Sequence, residues 1–401
     1  MRLLQLSPQF PFPLTDGGKI SITNMSKALV EQGCAVDVFC LTKQMPESEL
    51  ILQFETYTGA DIQCIQHDTG NSFRAIMSSL FDGTNPLYVR KHRNKLFEEV
   101  IMQHLKQNTI DGIICDHSAM AEYGLQASRI YGIPVIMRMH NIEHVIWQRY
   151  ADRFHVLDSR RLYIQSQAAK LKQKEIQFAS SMNYCAMITS HDVDVMHAME
   201  SHINAIHIPV GVDTLTFYPK EQEKSIHNRL IHATTYDWIH NVEAVDWFIT
   251  NVLPSINTSH GAELHLLGKH MPERYKDNST AGLIGHGFVE DMNAMLNTAS
   301  MYIAPLFVGA GIRIKILEAM AAGLPVIASR ISAEGIQASR EDGLIICDDA
   351  DQFIKEISGL IMNPEEAKRL GGNARSFILE HHSWEKSAQQ MIALFKTAVN
   401  M

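Results

Sequence analysis

A chain of 401 residues is long enough for two α/β domains and too long for one ordinary core. Its 46% hydrophobic content suits a globular protein and argues against disorder. A formal net charge of -9 makes it a poor general binder of nucleic acid, whose phosphates attract Lys and Arg. Residues 1–208 hold 19 Lys+Arg against 21 Asp+Glu, while residues 209–401 hold 16 against 23, so the first part suits an anionic partner better.

Short apolar runs alternate with longer amphipathic segments, the pattern of βα units and parallel sheets. Strands are predicted at Leu3–Leu6, Val36–Leu41, Gly112–Cys115, Val135–Met139 and Tyr184–Thr189. Helices are predicted at Ile20–Glu31, Lys95–Gln107, Ala119–Ile130 and Ser159–Phe178. The pattern then restarts, with strands at Leu230–Ala233, Glu263–Leu267, Met301–Ala304 and Pro325–Ala328. Its helices are Val242–Val252, Asp291–Thr298, Ile314–Ala322 and Pro364–Leu379. Pro209–Asn228, with two prolines and a KEQEK run, reads as an interdomain linker. A last amphipathic helix, Trp384–Ala398, follows without a new strand and could pack locally or cross back onto the first domain.

The six cysteines, Cys34, Cys40, Cys64, Cys115, Cys185 and Cys347, form no CxxC and do not cluster with His at zinc spacing. They read as buried, reduced thiols of a cytosolic protein. MRLLQLSPQF is interrupted by Pro8 too soon for a signal peptide, and no apolar run reaches about 18 residues. A cytoplasmic location is expected.

The most informative segment is PLFVGAGIRIKILEAMAAGLPVIA, Pro305–Ala328. A glycine-containing loop follows a strand and opens a helix. Gly309 and Gly311, flanking Ala310, remove side chains so that backbone N–H groups can approach a ligand. The helix N-terminus adds free donors and a positive dipole end, an anion site suited to a diphosphate. Arg313 and Lys315 add positive charge, and Glu318 offers two acceptor oxygens that could hold a vicinal diol such as a ribose. The plain alternative is an ordinary βα loop with a solvated Glu.

In the first domain, strand RLLQLS ends in the loop PQFPFPLTDGGK, where Gly17 and Gly18 could let the chain bend over a bound group. This is not GxGxxG, which argues against a dinucleotide fingerprint. MRMHNIEH, Arg138–His144, also follows a strand; His140 could donate a hydrogen bond to a sugar hydroxyl, and Asn141 follows it. His140 and His144 lie four apart with Glu143 between, but no third ligand stands at zinc spacing, so no metal is expected. Asp116 and His117 end another strand and could line the same cleft, although such residues are often caps or turns. YVRKHRNKLF, Tyr88–Phe97, could meet acidic lipid as a weak peripheral contact at the inner face of a membrane, meet an anionic acceptor, or be a solvated helix face.

Taken together, GVD…F-P at Gly211–Pro219, the GAGIRIKILEAMAAGLPV run and SAEGI at Ser332–Ile336 resemble glycosyltransferase family 4, a retaining group with the GT-B fold. The resemblance covers essentially the whole chain. It implies an α/β fold of two Rossmann-like domains whose parallel sheets face a central cleft: an acceptor-side domain over 1–208, a nucleotide-sugar-binding domain over 209–382, and a helix over 383–401 that returns to the first. It implies that Glu318 holds the ribose and the VGAGIR backbone meets the diphosphate. It suggests that His140 and the Gly17-Gly18 loop approach the sugar and phosphates, with Asp116, His117 and Asn141 on the acceptor side. Many members carry two glutamates eight positions apart, where this chain has Ala310 and Glu318. Many also carry an Arg and a nearby Lys after the second domain's first strand; ATTYDWIHNVEAV has neither, and Arg313 and Lys315 could supply that charge.

The expected activity is transfer of a hexose, with retention, from a nucleoside-diphosphate sugar to a hydroxyl of a glycan, a lipid-linked or a small-molecule acceptor, without cofactor or metal. A non-catalytic nucleotide-sugar binder of the same fold is the alternative. A dehydrogenase is disfavoured by the missing GxGxxG, and a solute-binding protein by the missing signal peptide.

Overall fold

Runs such as LLQL, VDVFC and GIIC become strands because branched, aromatic and aliphatic side chains fill a pleated surface covered on both faces. The computed structural model describes residues 1–70, 76, 77, 79, 82–220, 226, 228–276, 280–308 and 311–399. The chain divides into two units, Met1–Val210 with Trp384–Met401, and Gly211–Ser383.

The first unit holds strands β1 (Arg2–Ser7), β2 (Ala35–Thr42), β3 (Asp61–Gln66), β4 (Gly112–Asp116), β5 (Val135–Met139), β6 (Tyr184–Met187) and β7 (Ala205–His207). They form one sheet in the order β3-β2-β1-β4-β5-β6-β7, with every pair parallel. The second unit holds β8 (Arg229–Ala233), β9 (Glu263–Leu267), β10 (Leu283–Gly287), β11 (Met301–Ala304), β12 (Val326–Ala328) and β13 (Leu344–Ile346). Their order is β10-β9-β8-β11-β12-β13, again all parallel. Both are Rossmann-like. The strand order reverses between β1 and β4 in one sheet and between β8 and β11 in the other. In such sheets ligands bind beyond the C-terminal strand ends at the reversal.

The first core joins Leu4, Leu6, Phe39, Ile113, Cys115, Met137 and Leu171. The second unit has one core around Phe248, Leu264, Ile303 and Phe353, and another around Ile316, Leu317, Met320 and Val326. The last helix, Trp384–Val399, belongs to the first unit. It buries Trp384, Ala388, Met391 and Phe395, packs against helix Gly17–Glu31, and the Ser387 hydroxyl donates to the Pro209 carbonyl at 2.8 Å.

Several elements differ from the sequence expectation. Helix Gly17–Glu31 starts at Gly17, not Ile20, because the Asp16 side chain accepts from the Lys19 N–H at 3.0 Å and caps it there. Gly17 and Gly18 therefore form the first helical positions and not a loop. The preceding loop is tethered, with Phe10 buried and the Thr23 hydroxyl donating to the Pro11 carbonyl at 2.7 Å. Residues after Gly211 are not a free linker either. Val212 N–H bonds the His382 carbonyl at 2.9 Å, Tyr218 and Lys220 N–H groups bond Asn293 and Asn297, and Arg375 donates to the Phe217 and Thr214 carbonyls. Gly323, at φ 82°, lets Pro219 pack against the chain there.

In the basic stretch Tyr88–Phe97 two of the four cations are held by close ion pairs, while the Lys95 side chain stays 89% exposed. Arg90 pairs with Asp82 at 2.9 Å and Arg93 with Glu122 at 2.6 Å, while Leu87, Val89, His92 and Phe97 are buried. Among the described residues no helix is long and apolar enough to cross a membrane. The six cysteines are free thiols, five of them buried.

Candidate functional site

At the β1/β4 reversal the chain assembles a buried polar network. Asp116 ends β4 with no exposure, and Arg138 stands in β5, also with none. Arg138 Nη1 donates to Asp116 Oδ1 at 3.1 Å, and Nη2 donates to the Ser21 hydroxyl at 2.6 Å. Gln5 Nε2, from β1, donates to the other carboxylate oxygen at 2.6 Å. His140 Nε2 lies 3.1 Å from Asp116 Oδ1 and 3.0 Å from Arg138 Nη1. The Trp384 ring of the returning helix sits 6.0 Å from the Arg138 guanidinium.

Burial alone would raise the Asp116 carboxyl, but the His140, Arg138 and Gln5 donors overcome it and hold it down to about 2. Burial, with His117 and Arg138 beside it, pushes the His140 imidazole down to about 3, against the pull of Asp116. His140 is thus neutral at pH 7, next to an ionised carboxylate. A buried ion pair of this kind is costly to form and costlier to break from one side.

His117, just after β4, has φ 65° and ψ 154°, a region that costs a non-glycine residue about 1–3 kcal/mol and is concentrated at functional sites. Its N–H bonds the Arg138 carbonyl at 2.9 Å, its ring lies 4.2 Å from that of His140, and Nδ1 is 3.6 Å from Glu143. His140 and His144 do not converge. His144 Nδ1 pairs with Glu175 at 2.7 Å, and Glu175 also accepts from the Glu143 and His144 N–H groups, capping helix Glu143–Ala151. Burial raises the Glu175 carboxyl, with His144 opposing.

At the β8/β11 reversal, the loop after β11 leads into helix Ile314–Ala321. Gly311 has φ 81°, a conformation that favours glycine. Arg313 stands just before the helix, and its guanidinium donates to the Gly311 carbonyl. Glu318 lies one turn inside, 4% exposed, and Lys315 Nζ donates to its Oε2 at 2.8 Å. The loop is braced from below, where the Leu306 N–H donates to the Ser332 hydroxyl at 2.9 Å and the Ser329 hydroxyl donates to the Leu306 carbonyl.

The structure thus gathers Asp116, His117 and His140 at one strand-end cluster and Gly311, Arg313, Lys315 and Glu318 at another. Gly17 and Gly18 begin the helix whose Ser21 binds Arg138. Asn141 is half-buried between His140 and helix Glu143–Ala151. Gly309 and Ala310 lie outside the described residues. Asp116 is corrected: with no exposed surface it braces His140 and cannot itself touch an acceptor. Lys315 pairs with Glu318 at 2.8 Å and keeps 42% of its side chain exposed.

Arg138, Gln5, Ser21 and Glu175 carry the first cluster yet went unassigned from sequence. One signal was present for Arg138: a cation inside the apolar strand VIMRM must find a buried partner.

Residues 228–363 match the family model described as Glycosyl transferases group 1. Over 408 residues, 96% of this chain and 97% of the relative, the chain is 24% identical to an uncharacterized 44.6 kDa protein in the cps region of Klebsiella pneumoniae. It is 28% identical over 203 residues, 48% of each chain, to MMP α-(1→4)-mannosyltransferase of Mycolicibacterium hassiacum. Among solved structures it is similar to sucrose-phosphate synthase of Thermosynechococcus elongatus, with TM-score 0.72 and 16% identity across the full length of both. It is also similar to Anabaena HepE in complex with UDP and glucose, with TM-score 0.68 and 12% identity over 99% of this chain and all of that one. At such identities the structural likeness concerns the fold, and that fold is GT-B.

Proposed function

We propose that this chain is a glycosyltransferase that moves a hexose with retention from a nucleoside-diphosphate sugar to an acceptor hydroxyl, a reading supported by the match of residues 228–363 to the group 1 family model and by the GT-B fold. The donor's anomeric C–O bond to the diphosphate breaks, and a new C–O bond to the acceptor forms on the same face. The acceptor's proton leaves with the diphosphate.

One arrangement carries the reading: a nearly buried Glu318 with Lys315 on it, one turn into a helix that opens from a positive-φ glycine at the strand reversal. Helix N–H donors, Arg313 and Lys315 suit a diphosphate, and the Glu318 carboxylate suits a ribose diol. These cations and dipoles offset the leaving charge, so the reaction is proposed to run without a metal. His140 is assigned to the transferred sugar, with Gly17 and Gly18 at the phosphates. The relative from a cps region, aligned over nearly the whole chain, supports a glycan acceptor in polysaccharide biosynthesis. The mannosyltransferase relative supports a hexose.

The test is a panel of UDP-, GDP- and ADP-sugars. A donor bound by the native state raises the melting temperature. The donor that does so should then support transfer or slow hydrolysis, with the product's anomeric configuration read by NMR. No stabilisation by any of them would overturn the reading.

A further inference from the structure

His140 is held by one ring nitrogen only. Nε2 lies 3.1 Å from Asp116 Oδ1, whereas among the described residues no protein group hydrogen-bonds Nδ1. An ionised carboxylate oxygen can only accept. At this distance in a dry site, Nε2 must carry the proton, or two lone pairs would face each other. Arg138 Nη1 can only donate; it lies 3.0 Å from Nε2, 3.1 Å from Asp116 Oδ1 and 3.3 Å from the Ser21 carbonyl, so the two oxygens suffice for its two hydrogens. It therefore does not require the Nε2 lone pair. The groups facing the ring are Asp116 at the end of β4, His117 just after it, Arg138 in β5, and through them Gln5, Ser21 and Glu143.

We propose that Asp116, itself fixed by Arg138 and Gln5, is a positioning residue that locks His140 in the Nε2–H tautomer and so presents Nδ1 as a hydrogen-bond acceptor. The direction of the bond is then the reverse of the donation expected from sequence: a hydroxyl of the substrate donates to Nδ1. The ring neither gives nor takes a proton in this role. It orients one hydroxyl and discriminates against a sugar lacking it. Arg138 keeps Asp116 ionised, and only an ionised Asp116 enforces the tautomer. The tautomer stands by itself, while its use rests on the glycosyltransferase reading.

The experiment uses the full chain labelled with 15N-histidine. Long-range proton–nitrogen correlation separates a protonated from an unprotonated ring nitrogen, and the His140 signals are those missing in His140→Gln. A protonated Nε2 with a bare Nδ1 is expected, and a protonated Nδ1 in the wild type overturns the proposal. Asp116→Asn together with Arg138→Gln removes both charges, so neither is left buried alone. This variant should stay folded by circular dichroism and show mixed tautomers. A single, unchanged tautomer would overturn the role of Asp116. With the best sugar nucleotide of the panel, the same double variant should lower turnover about 10–100-fold, the range seen when a partner that orients a metal-bound histidine is lost. Its Kd for the matching nucleoside diphosphate should stay at the wild-type value. Wild-type turnover in that variant sinks the positioning role. If the wild type turns over no sugar nucleotide, the glycosyltransferase reading fails, and the nitrogen spectrum still decides the tautomer.

Discussion

Phe395, on the last helix, occupies the space that a side chain on Gly112 would need: its Cδ1 and Cε1 overlap the position of a Cβ built there, and Cγ lies 3.1 Å away. Gly112 begins β4, the strand that ends in Asp116. Phe395 is fully buried, so the helix that follows the second unit is keyed into the first at the foot of the strand carrying its polar cluster.

Gly112→Ala should therefore act by overpacking. A methyl group forced against a buried ring costs about 1–3 kcal/mol. Truncating the ring instead, Phe395→Ala, should cost about 3–5 kcal/mol through the cavity it leaves. Combining Gly112→Ala with Phe395→Leu should recover part of the first loss, because the new methyl gains room. Urea unfolding of the three variants measures this, and an unchanged midpoint for Gly112→Ala would show that the helix yields freely.

The Asp116–Arg138 pair makes a non-additive prediction. Both side chains are fully buried, so removing one partner strands a charge. Asp116→Asn or Arg138→Met alone should each destabilise by about 3–5 kcal/mol. The double variant should cost clearly less than either single one, since no charge then remains unpaired. Additive losses in the urea midpoints would mean that the pair's geometry, and not its charge balance, holds the strand ends.

How much of this was legible from sequence depended on burial. β1, β2, β4, β5, β9 and β11 read as strands because their runs are apolar and covered on both faces. β3, DIQCIQ, alternates and lies at a sheet edge, and β10, LIGHG, carries two glycines and a histidine at the other sheet's edge. Neither has the apolar run that marks a central strand, so neither is predicted from the sequence. β7 and β13, of three residues each, are too short for any period. Gly17 and Gly18 hid a helix start because glycine is a poor helix former, and the Asp16 cap outweighed that. The second cluster was visible because its residues are contiguous. The first was not: Gln5, Ser21, Asp116 and Arg138 are far apart in sequence, and only the sheet order β1-β4-β5 makes them neighbours.

The buried imidazole sets a pH dependence. The folded-state pKa of His140 is pushed down to about 3, against about 6.5 for an unfolded histidine. Between these values the unfolded chain binds the extra proton and the folded chain refuses it. Stability is therefore fully present above about pH 6.5 and is lost as pH falls toward about 3, by at most about 1.4 kcal/mol per pH unit from this group. His140→Gln removes the titration. Its stability, measured by urea unfolding at pH 7, 6 and 5, should fall less steeply than that of the wild type. Parallel pH profiles would mean that His140 is protonated in the fold.

Chelation is a direct check on how the leaving diphosphate is balanced. Helix N–H groups, Arg313 and Lys315 are fixed by the protein and do not depend on a dissociable ion. Turnover with the best sugar nucleotide should survive EDTA within about twofold, well inside the effect of losing one electrostatic donor. Loss of activity with EDTA and recovery with manganese would require a cation at the diphosphate.

Glu318 gives the sharpest test of the donor site. Its side chain is 6% exposed and accepts from Lys315 at 2.8 Å, while the Lys315 side chain is 42% exposed. Glu318→Gln keeps the shape but replaces one acceptor oxygen with a donor. The stability of the free protein should change little, because Lys315 can turn to water. Binding of the nucleoside diphosphate should weaken by about 1.5–3 kcal/mol if the carboxylate receives the ribose hydroxyls. The same loss should appear when the wild type is offered the 2′,3′-dideoxy nucleotide. The two losses should not add when Glu318→Gln meets that analogue, since both remove one interaction. Titration calorimetry on the four combinations decides the point. Additive losses would place the ribose elsewhere and leave Glu318 as an anchor for Lys315.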